Sequence, residues 1–296
     1  MTLPAKLARR WLVKGGKAPG WLPAAMGRPL EVLPEPQVAP PLPEWTPAVG
    51  TERGVVAFLA GCAMPVLYGQ ANHATVRMLA RAGYRVWVPG SQGCCGAASA
   101  HDGDRRGAQA LARANVAAFE GHSVEAVISN AAGCGAALKG YASLLEGDPE
   151  WEPRAKALAA KARDFSEFLD AVGLPAAPRE VPTTVTYHDP CHLAHGQRVR
   201  EAPRRLIRSV PGVRFTELTE ADWCCGGAGS YTLLNPEMSD KLLAHKVRHI
   251  QESGAAIVVT ANPPCLMQVG MGLARAGTPV RLLHLAEFLD EAYTEQ

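Results

Sequence analysis

No run of about 20 apolar residues occurs anywhere in the 296-residue sequence, so a membrane-spanning helix is not expected. The N-terminus lacks the uninterrupted apolar stretch of about 7 to 15 residues that a secretory signal needs, and a cytoplasmic location follows as the default. Strong charge of one sign is missing too: 30 Lys and Arg stand against 28 Asp and Glu, a net charge of +2. Without a long basic run beyond the N-terminal segment, nucleic acid is not an expected partner. The chain also lacks a Gly-x-Gly-x-x-Gly after a strand, a Gly-x-x-x-x-Gly-Lys loop and a Gly-x-Ser-x-Gly elbow. It is therefore not expected to bind a dinucleotide or a nucleoside triphosphate by those devices. No cysteine precedes Cys62.

The eight cysteines that are present follow a rule. Adjacent Cys224 and Cys225 make a poor disulfide, because neighbouring side chains bridge only through a small strained ring. They can both face one metal centre if the backbone turns sharply, and Gly226 and Gly227 permit that turn. Gly93-Cys94-Cys95-Gly96 is the same device upstream. Cys62 stands 32 residues before Cys94 and Cys134 stands 38 after Gly96; Cys191 stands 33 before Cys224 and Cys265 stands 39 after Gly226. In a reducing compartment, cysteines at regular spacings point to metal ligation.

With 47% hydrophobic and 20% charged residues, the chain is long enough for two globular domains. Residues 1–50 differ in kind, holding ten of the 24 prolines. Between Met1 and Arg28 stand six basic residues, Lys6, Arg9, Arg10, Lys14, Lys17 and Arg28, with no acidic one. The spacing of Leu3, Leu7 and Trp11 predicts a short basic amphipathic helix over 3–13, followed by an extended Pro-rich linker. This segment is expected to be a solvated tail, or to touch an acidic membrane surface at its inner face, or to dock on a partner subunit.

From Gly54 onward the pattern is α/β. Apolar runs at 55–59, 84–88 and 124–129 read as strands leading to Cys62, to Cys94-Cys95 and to Cys134, with helical stretches at 72–82 and 104–119. The order then repeats: strands at 184–187, 213–218 and 256–260 lead to Cys191, Cys224-Cys225 and Cys265, with helices at 201–209 and 236–251. Gly83-Tyr84-Arg85-Val86 aligns with Gly212-Val213-Arg214-Phe215, and Glu167-Phe168-Leu169-Asp170 recurs as Glu287-Phe288-Leu289-Asp290. A shorter offset for the last pair implies about eleven extra residues near 147–157 in the first copy. The expected architecture is two tandem, pseudo-symmetric Rossmann-like domains with mostly parallel sheets, over 51–175 and 176–296, preceded by the Pro-rich extension. Open sheets of this kind place ligands beyond the C-terminal strand ends, where the cysteines fall.

An iron-sulfur cluster usually takes four thiolates, and each repeat supplies four. Glycine-loop N–H groups and helix N-termini would stabilise the negative sulfurs. A four-cysteine zinc site, disulfides and inert thiols are the alternatives at each set. A 4Fe-4S cluster is expected on Cys191, Cys224, Cys225 and Cys265. A second cluster or a zinc ion is expected on Cys62, Cys94, Cys95 and Cys134.

Cys62…Cys94-Cys95-Gly96…Cys134 and His188-Asp189-Pro190-Cys191-His192-Leu193…Cys224-Cys225-Gly226-Gly227…Asn262-Pro263-Pro264-Cys265-Leu266 resemble the two cysteine-rich CCG domains shared by a small group of redox proteins. These are the glycolate oxidase iron-sulfur subunit, the lactate-utilisation iron-sulfur protein and the cysteine-rich subunit of heterodisulfide reductase. Gly133-Cys134-Gly135 and the ending His284 to Leu289 favour the glycolate and lactate branch. The resemblance implies electron transfer beside a flavin-containing subunit that oxidises a 2-hydroxy acid, the flavin lying in that other chain. The heterodisulfide reductase type ends each set in Cys-x-x-Cys, whereas Ala137 and Gln268 stand at those positions here. The glycolate oxidase subunit normally begins with a ferredoxin-like region. Its clusters are then expected from a separate chain, or this chain is a shortened member or a domain-length piece.

Other readings stay open at this point. A heterodisulfide-reductase-like enzyme would do substrate chemistry at the second cysteine set, and a zinc-stabilised scaffold subunit would do none. No catalytic residue is assigned. His188, His192 and His195 flank Cys191 as a ligand, a proton relay, orienting donors or plain loop residues. Asp189 and Asp222 are expected to cap a helix or turn, and Trp223 to pack in the core or shield the clamp from water.

Overall fold

The computed structural model describes residues 12–35, 37, 39–174 and 178–293. Two sheets carry the chain. The first has the order β1-β3-β2-β4-β5, from strands β1 (Trp45–Thr46), β2 (Gly54–Leu59), β3 (Tyr84–Trp87), β4 (Ala126–Ser129) and β5 (Ala162–Asp164). The second has the order β7-β6-β8-β9, from β6 (Thr183–Tyr187), β7 (Val213–Phe215), β8 (Ile257–Thr260) and β9 (Arg281–His284). Every pairing is parallel except β1 with β3. β4 and β8 are wholly buried and mostly apolar because helices cover both faces, as parallel sheets require.

Sequence repetition becomes spatial repetition: β3-β2-β4-β5 corresponds in order to β7-β6-β8-β9. The helix Trp151–Lys161 has no counterpart in the second half, which accounts for the extra residues there. The halves exchange helices across their interface. The first long helix after β2, Gly69–Arg81, packs on the last helix, Leu285–Glu291, and the equivalent Glu201–Arg208 packs on Phe165–Val172. Such reciprocity is what a pseudo-twofold axis produces. It extends to ion pairs, with Arg77 to Asp290 at 2.6 Å matched by Arg205 to Asp170 at 2.6 Å. One hydrophobic cluster containing Phe58, Ile128, Phe168, Tyr187, Val259 and Phe288 runs through both halves.

The repeated Glu-Phe-Leu-Asp motif sits on these exchanged helices, each opened by a capping box, Asp164 with Glu167 and His284 with Glu287. His284 is fully buried; its Nδ1 accepts from Ala286 N, and its Nε2 donates to Asn130 O in the other half at 2.8 Å. Burial pushes its pKa down from 6.5 to about 4. The unfolded chain therefore takes up this proton first, and stability falls as pH drops from 6.5 toward 4, by about 3 kcal/mol from this group. Buried Asp164, raised to about 6, works with the opposite sign. Urea unfolding of wild type against His284→Asn isolates the imidazole: wild type should lose about 3 kcal/mol more over that interval. Parallel stability-pH curves would refute it.

The extension is not the extended linker expected from its prolines. Residues Ala24–Val32 form a helix with Pro29 inside it. Buried Arg28 pairs with Asp240 at 2.7 Å and donates to Thr232 O, while Glu31 pairs with Arg275. These partners lie in the second half, and the ion pairs they offer outweigh the local preference of proline for open chain. Arg28 is thus committed to the fold and unavailable to a membrane surface. The helix expected over 3–13 falls, apart from Leu12 and Val13, outside the described residues.

Candidate metal centre

Every cysteine lies just past the C-terminal end of a parallel strand. Cys62 follows β2, Cys94-Cys95 follow β3 and Cys134 follows β4, while Cys191, Cys224-Cys225 and Cys265 follow β6, β7 and β8. Because neighbouring strands run about 5 Å apart, loops leaving three of them meet. Cys62 Sγ lies 3.4 Å from Cys94 Sγ, and Cys95 Sγ lies 3.2 Å from Cys134 Sγ. In the second set Cys224 lies beside Cys191 and Cys225, and Cys225 beside Cys265. All eight thiols line one cavity of about 180 Å³, together with His101, His192 and Asn262.

The glycines explain how adjacent cysteines face one point. Gly226 has φ +83°, and a Cβ there would come within 2.6 Å of Ser239 O. At Gly227 a Cβ would meet Pro264 O at 2.6 Å, so the clamp rests directly on the helix Pro263–Ala276 that carries Cys265. Gly227→Ala is expected to push the clamp off that helix and to cost about 1–3 kcal/mol in urea unfolding. An unchanged midpoint would show the contact to be slack. The Gly226 N–H donates to Cys224 Sγ at 3.3 Å, as Gly96 N–H does to Cys94 at 3.5 Å. Cys134 and Cys265 are each the third residue of a helix, where the positive end favours a thiolate.

The two sets differ in charge. Donated S–H groups of Cys191, then Cys225, hold Cys224 well below the usual thiol range. The Cys225 thiol likewise lowers Cys265, against burial and with help from His188. Cys191 and Cys225 retain their protons, chiefly through the bond each makes to Cys224. The second set thus favours the charged form at Cys224 and Cys265 over Cys191 and Cys225. In the first set Cys62 is raised, chiefly by burial, and Cys95 is pushed up to about 12 by its bond to Cys134.

The flanking residues separate. His188 is buried; its Nδ1 donates to Ala221 O at 3.2 Å, and the ring forms with Cys225 and Cys265 a group whose ligating atoms lie within 4.8 Å of one another. His192 faces His101 edge-on across the cavity, with ring centres 5.1 Å apart. His195 is exposed beside Arg200, which pairs with Asp222. Neither aspartate caps a helix: Asp189 is buried in a two-pronged pair with Arg204, which also binds Glu217. Trp223 is 48% exposed and is not core.

Sequence reasoning passed over Arg204, and over Asn115 and Tyr141, which bind the Cys94 and Cys95 carbonyls at 2.8 Å each. For Asn115 a signal exists, since it is a lone polar residue on the buried face of the Ala-rich helix Arg105–Phe119.

Fold and site together define a duplicated α/β protein with a four-thiol set at the C-terminal edge of each sheet. The chain belongs to the CCG cysteine-rich domain family, which matches residues 56–139 and 185–270. It is 42% identical over 254 residues to the "Probable glycolate oxidase iron-sulfur subunit" of Bacillus subtilis (strain 168), an overlap of 84% of this chain and 57% of that protein. With "Lactate utilization protein A" of Geobacillus kaustophilus (strain HTA426) it shares 33% identity over 236 residues, 79% of this chain and 98% of that one. Among solved structures, a hypothetical protein from Helicobacter pylori has the same fold, with a TM-score of 0.59 at 12% identity over 99% of this chain and 57% of the other. Among the described residues no helix is long and apolar enough to cross a membrane.

Proposed function

We propose that this chain is the iron-sulfur electron-transfer subunit of a flavin-dependent oxidase or dehydrogenase acting on a 2-hydroxy acid of the glycolate or lactate class. The observation that carries the reading is the second set: four thiols that converge on one cavity, with the buried His188 ring beside Cys225 and Cys265. Cys191, Cys224, Cys225 and Cys265 would hold a 4Fe-4S cluster, with Gly226 and Gly227 shaping the clamp. Cys62, Cys94, Cys95 and Cys134 would hold a second cluster or a zinc ion. Such a cluster, when bound, supplies one-electron transfer.

The chain's own residues keep the sulfurs charged and shielded. Gly226 N–H and the Pro263–Ala276 helix terminus stabilise the thiolates, while the surrounding loops bury Cys225 and Cys265. Gln268 is buried and bonded to Ser239 Oγ at 2.7 Å, so the position three residues after Cys265 offers packing and no fifth sulfur, which weighs against disulfide-reducing chemistry. Beside the clamp, Trp223, Leu233, Leu234 and Met238 are exposed apolar side chains, of the kind that marks a partner surface. The flavin subunit would dock there, and a ferredoxin-like iron-sulfur chain would complete the route. Lys14 and Lys17 remain for a peripheral contact with the inner face of a membrane.

Purification without oxygen tests this. Protein-bound iron, acid-labile sulfide and a violet absorption band bleached by reductant are expected. Colourless protein carrying only zinc would overturn the reading in favour of a scaffold.

A further inference from the structure

A second group of ligating side chains lies outside the thiol cavity, at the start of the loop that carries Cys224 and Cys225. His245 and His249 are one turn apart on the helix Pro236–Glu252, so their imidazoles leave the same face. Glu220 meets them from the loop after β7. His249 Nε2 is 3.2 Å from His245 Nε2 and 3.3 Å from Glu220 Oε2, and His245 Nε2 is in direct contact with the same oxygen. Zinc bonded at about 2.0–2.1 Å in a tetrahedron sets its ligands about 3.3–3.4 Å apart. Two edges of the triangle already have about that spacing, and the third lengthens when an ion replaces the shared proton.

Proton accounting leads to the same place. His249 Nδ1 donates to Glu252 Oε2 at 3.0 Å, which leaves the Nε2 lone pair facing inward. Arg248 donates to His245 Nδ1 at 2.8 Å, which leaves the His245 proton on Nε2. One proton therefore stands among three electron-rich atoms, and two acceptors, Glu220 Oε2 and His249 Nε2, face each other. A cation satisfies all three. When it binds His245 Nε2, the proton moves to Nδ1 and exposed Arg248 turns into solvent.

The surroundings hold this arrangement in place. Glu220 has φ +50°, a backbone conformation disfavoured for a residue with a Cβ, and such outliers concentrate where a side chain must be aimed. Buried Lys246, between the two histidines, donates to the carbonyls of Glu220 and Ala221 and fixes the loop against the helix. Glu252 on His249 is the carboxylate-histidine pairing that orients metal-binding imidazoles. We propose that Glu220, His245 and His249 form a two-histidine, one-carboxylate zinc site that ties the Cys224-Cys225 loop to the Pro236–Glu252 helix.

The probe is zinc alone, added to the full chain after loading with iron and sulfide under argon, with zinc and iron per chain measured after equilibrium dialysis. Because the thiol sets can also take zinc, the readout is a difference that cancels whatever they hold. Wild type should bind one zinc more than His249→Ala or Glu220→Gln, at equal iron content and equal far-ultraviolet circular dichroism. Glu252→Gln should keep that zinc but hold it about 10- to 100-fold more weakly. Equal zinc in wild type and both ligand variants would overturn the proposal. If His249→Ala fails to fold, the near-isosteric Glu220→Gln decides alone.

Discussion

Serine in place of Cys225 is expected to abolish iron binding by the second cysteine set while the chain stays folded. Cys225 is the hub of that set, lying beside both Cys224 and Cys265 and almost fully buried. A cluster that takes four thiolates loses a ligand, and the hydroxyl that replaces it is a harder, poorer donor to iron. The folding cost should be small, about 1–3 kcal/mol, because the change is nearly isosteric and leaves one buried hydroxyl with weaker partners. Iron and sulfide analysis of Cys225→Ser beside Cys95→Ser resolves the two halves. If the first set holds zinc, Cys95→Ser leaves the iron content unchanged and Cys225→Ser removes it entirely. Undiminished iron in Cys225→Ser would place any cluster elsewhere.

Arg204→Ala should cost more stability than either Gly227→Ala or Cys225→Ser, about 3–5 kcal/mol. Its guanidinium reaches Asp189 through two bonds of 2.9 and 2.6 Å, and it also donates to Arg200 O at 2.7 Å. The Asp189 side chain is 2% exposed and that of Arg204 is 8% exposed. Truncating the arginine leaves a carboxylate buried without a counter-charge, two residues from Cys191. Removing both partners together should cost less than the sum of the single changes, because no lone charge remains. Denaturant unfolding of Arg204→Ala, Asp189→Asn and the double variant measures this. A loss below about 1 kcal/mol for Arg204→Ala would mean that water reaches Asp189 freely.

Much of the molecule was legible in short-range pattern. The strand at 55–59, the Ala-rich helix beginning after Asp104 and the helix starting at Pro236 each appear within a residue or two of where their periodicity places them. The terminal helices with their Glu-Phe-Leu-Asp repeat could be matched in sequence, yet nothing in the motif says that each packs on the opposite half. Proline content misled at Ala24–Val32, where Arg28 and Glu31 find partners more than 200 residues away and a helix forms despite Pro29. Aspartate chemistry misled at Asp189, because a short acidic side chain near a turn usually caps, and only the fold reveals a buried guanidinium opposite it.

The sequence by itself determined the duplicated α/β plan, the eight thiols in two sets and the glycine turns that let neighbouring cysteines face one way. Each of these is written in spacings and residue types that act locally. Only the tertiary structure decided that each half packs its last helix on the other, that Arg204 is buried against Asp189, and that Glu220 meets His245 and His249. Those outcomes depend on which loops and helices close against which, among groups far apart in the chain, for which no local period exists.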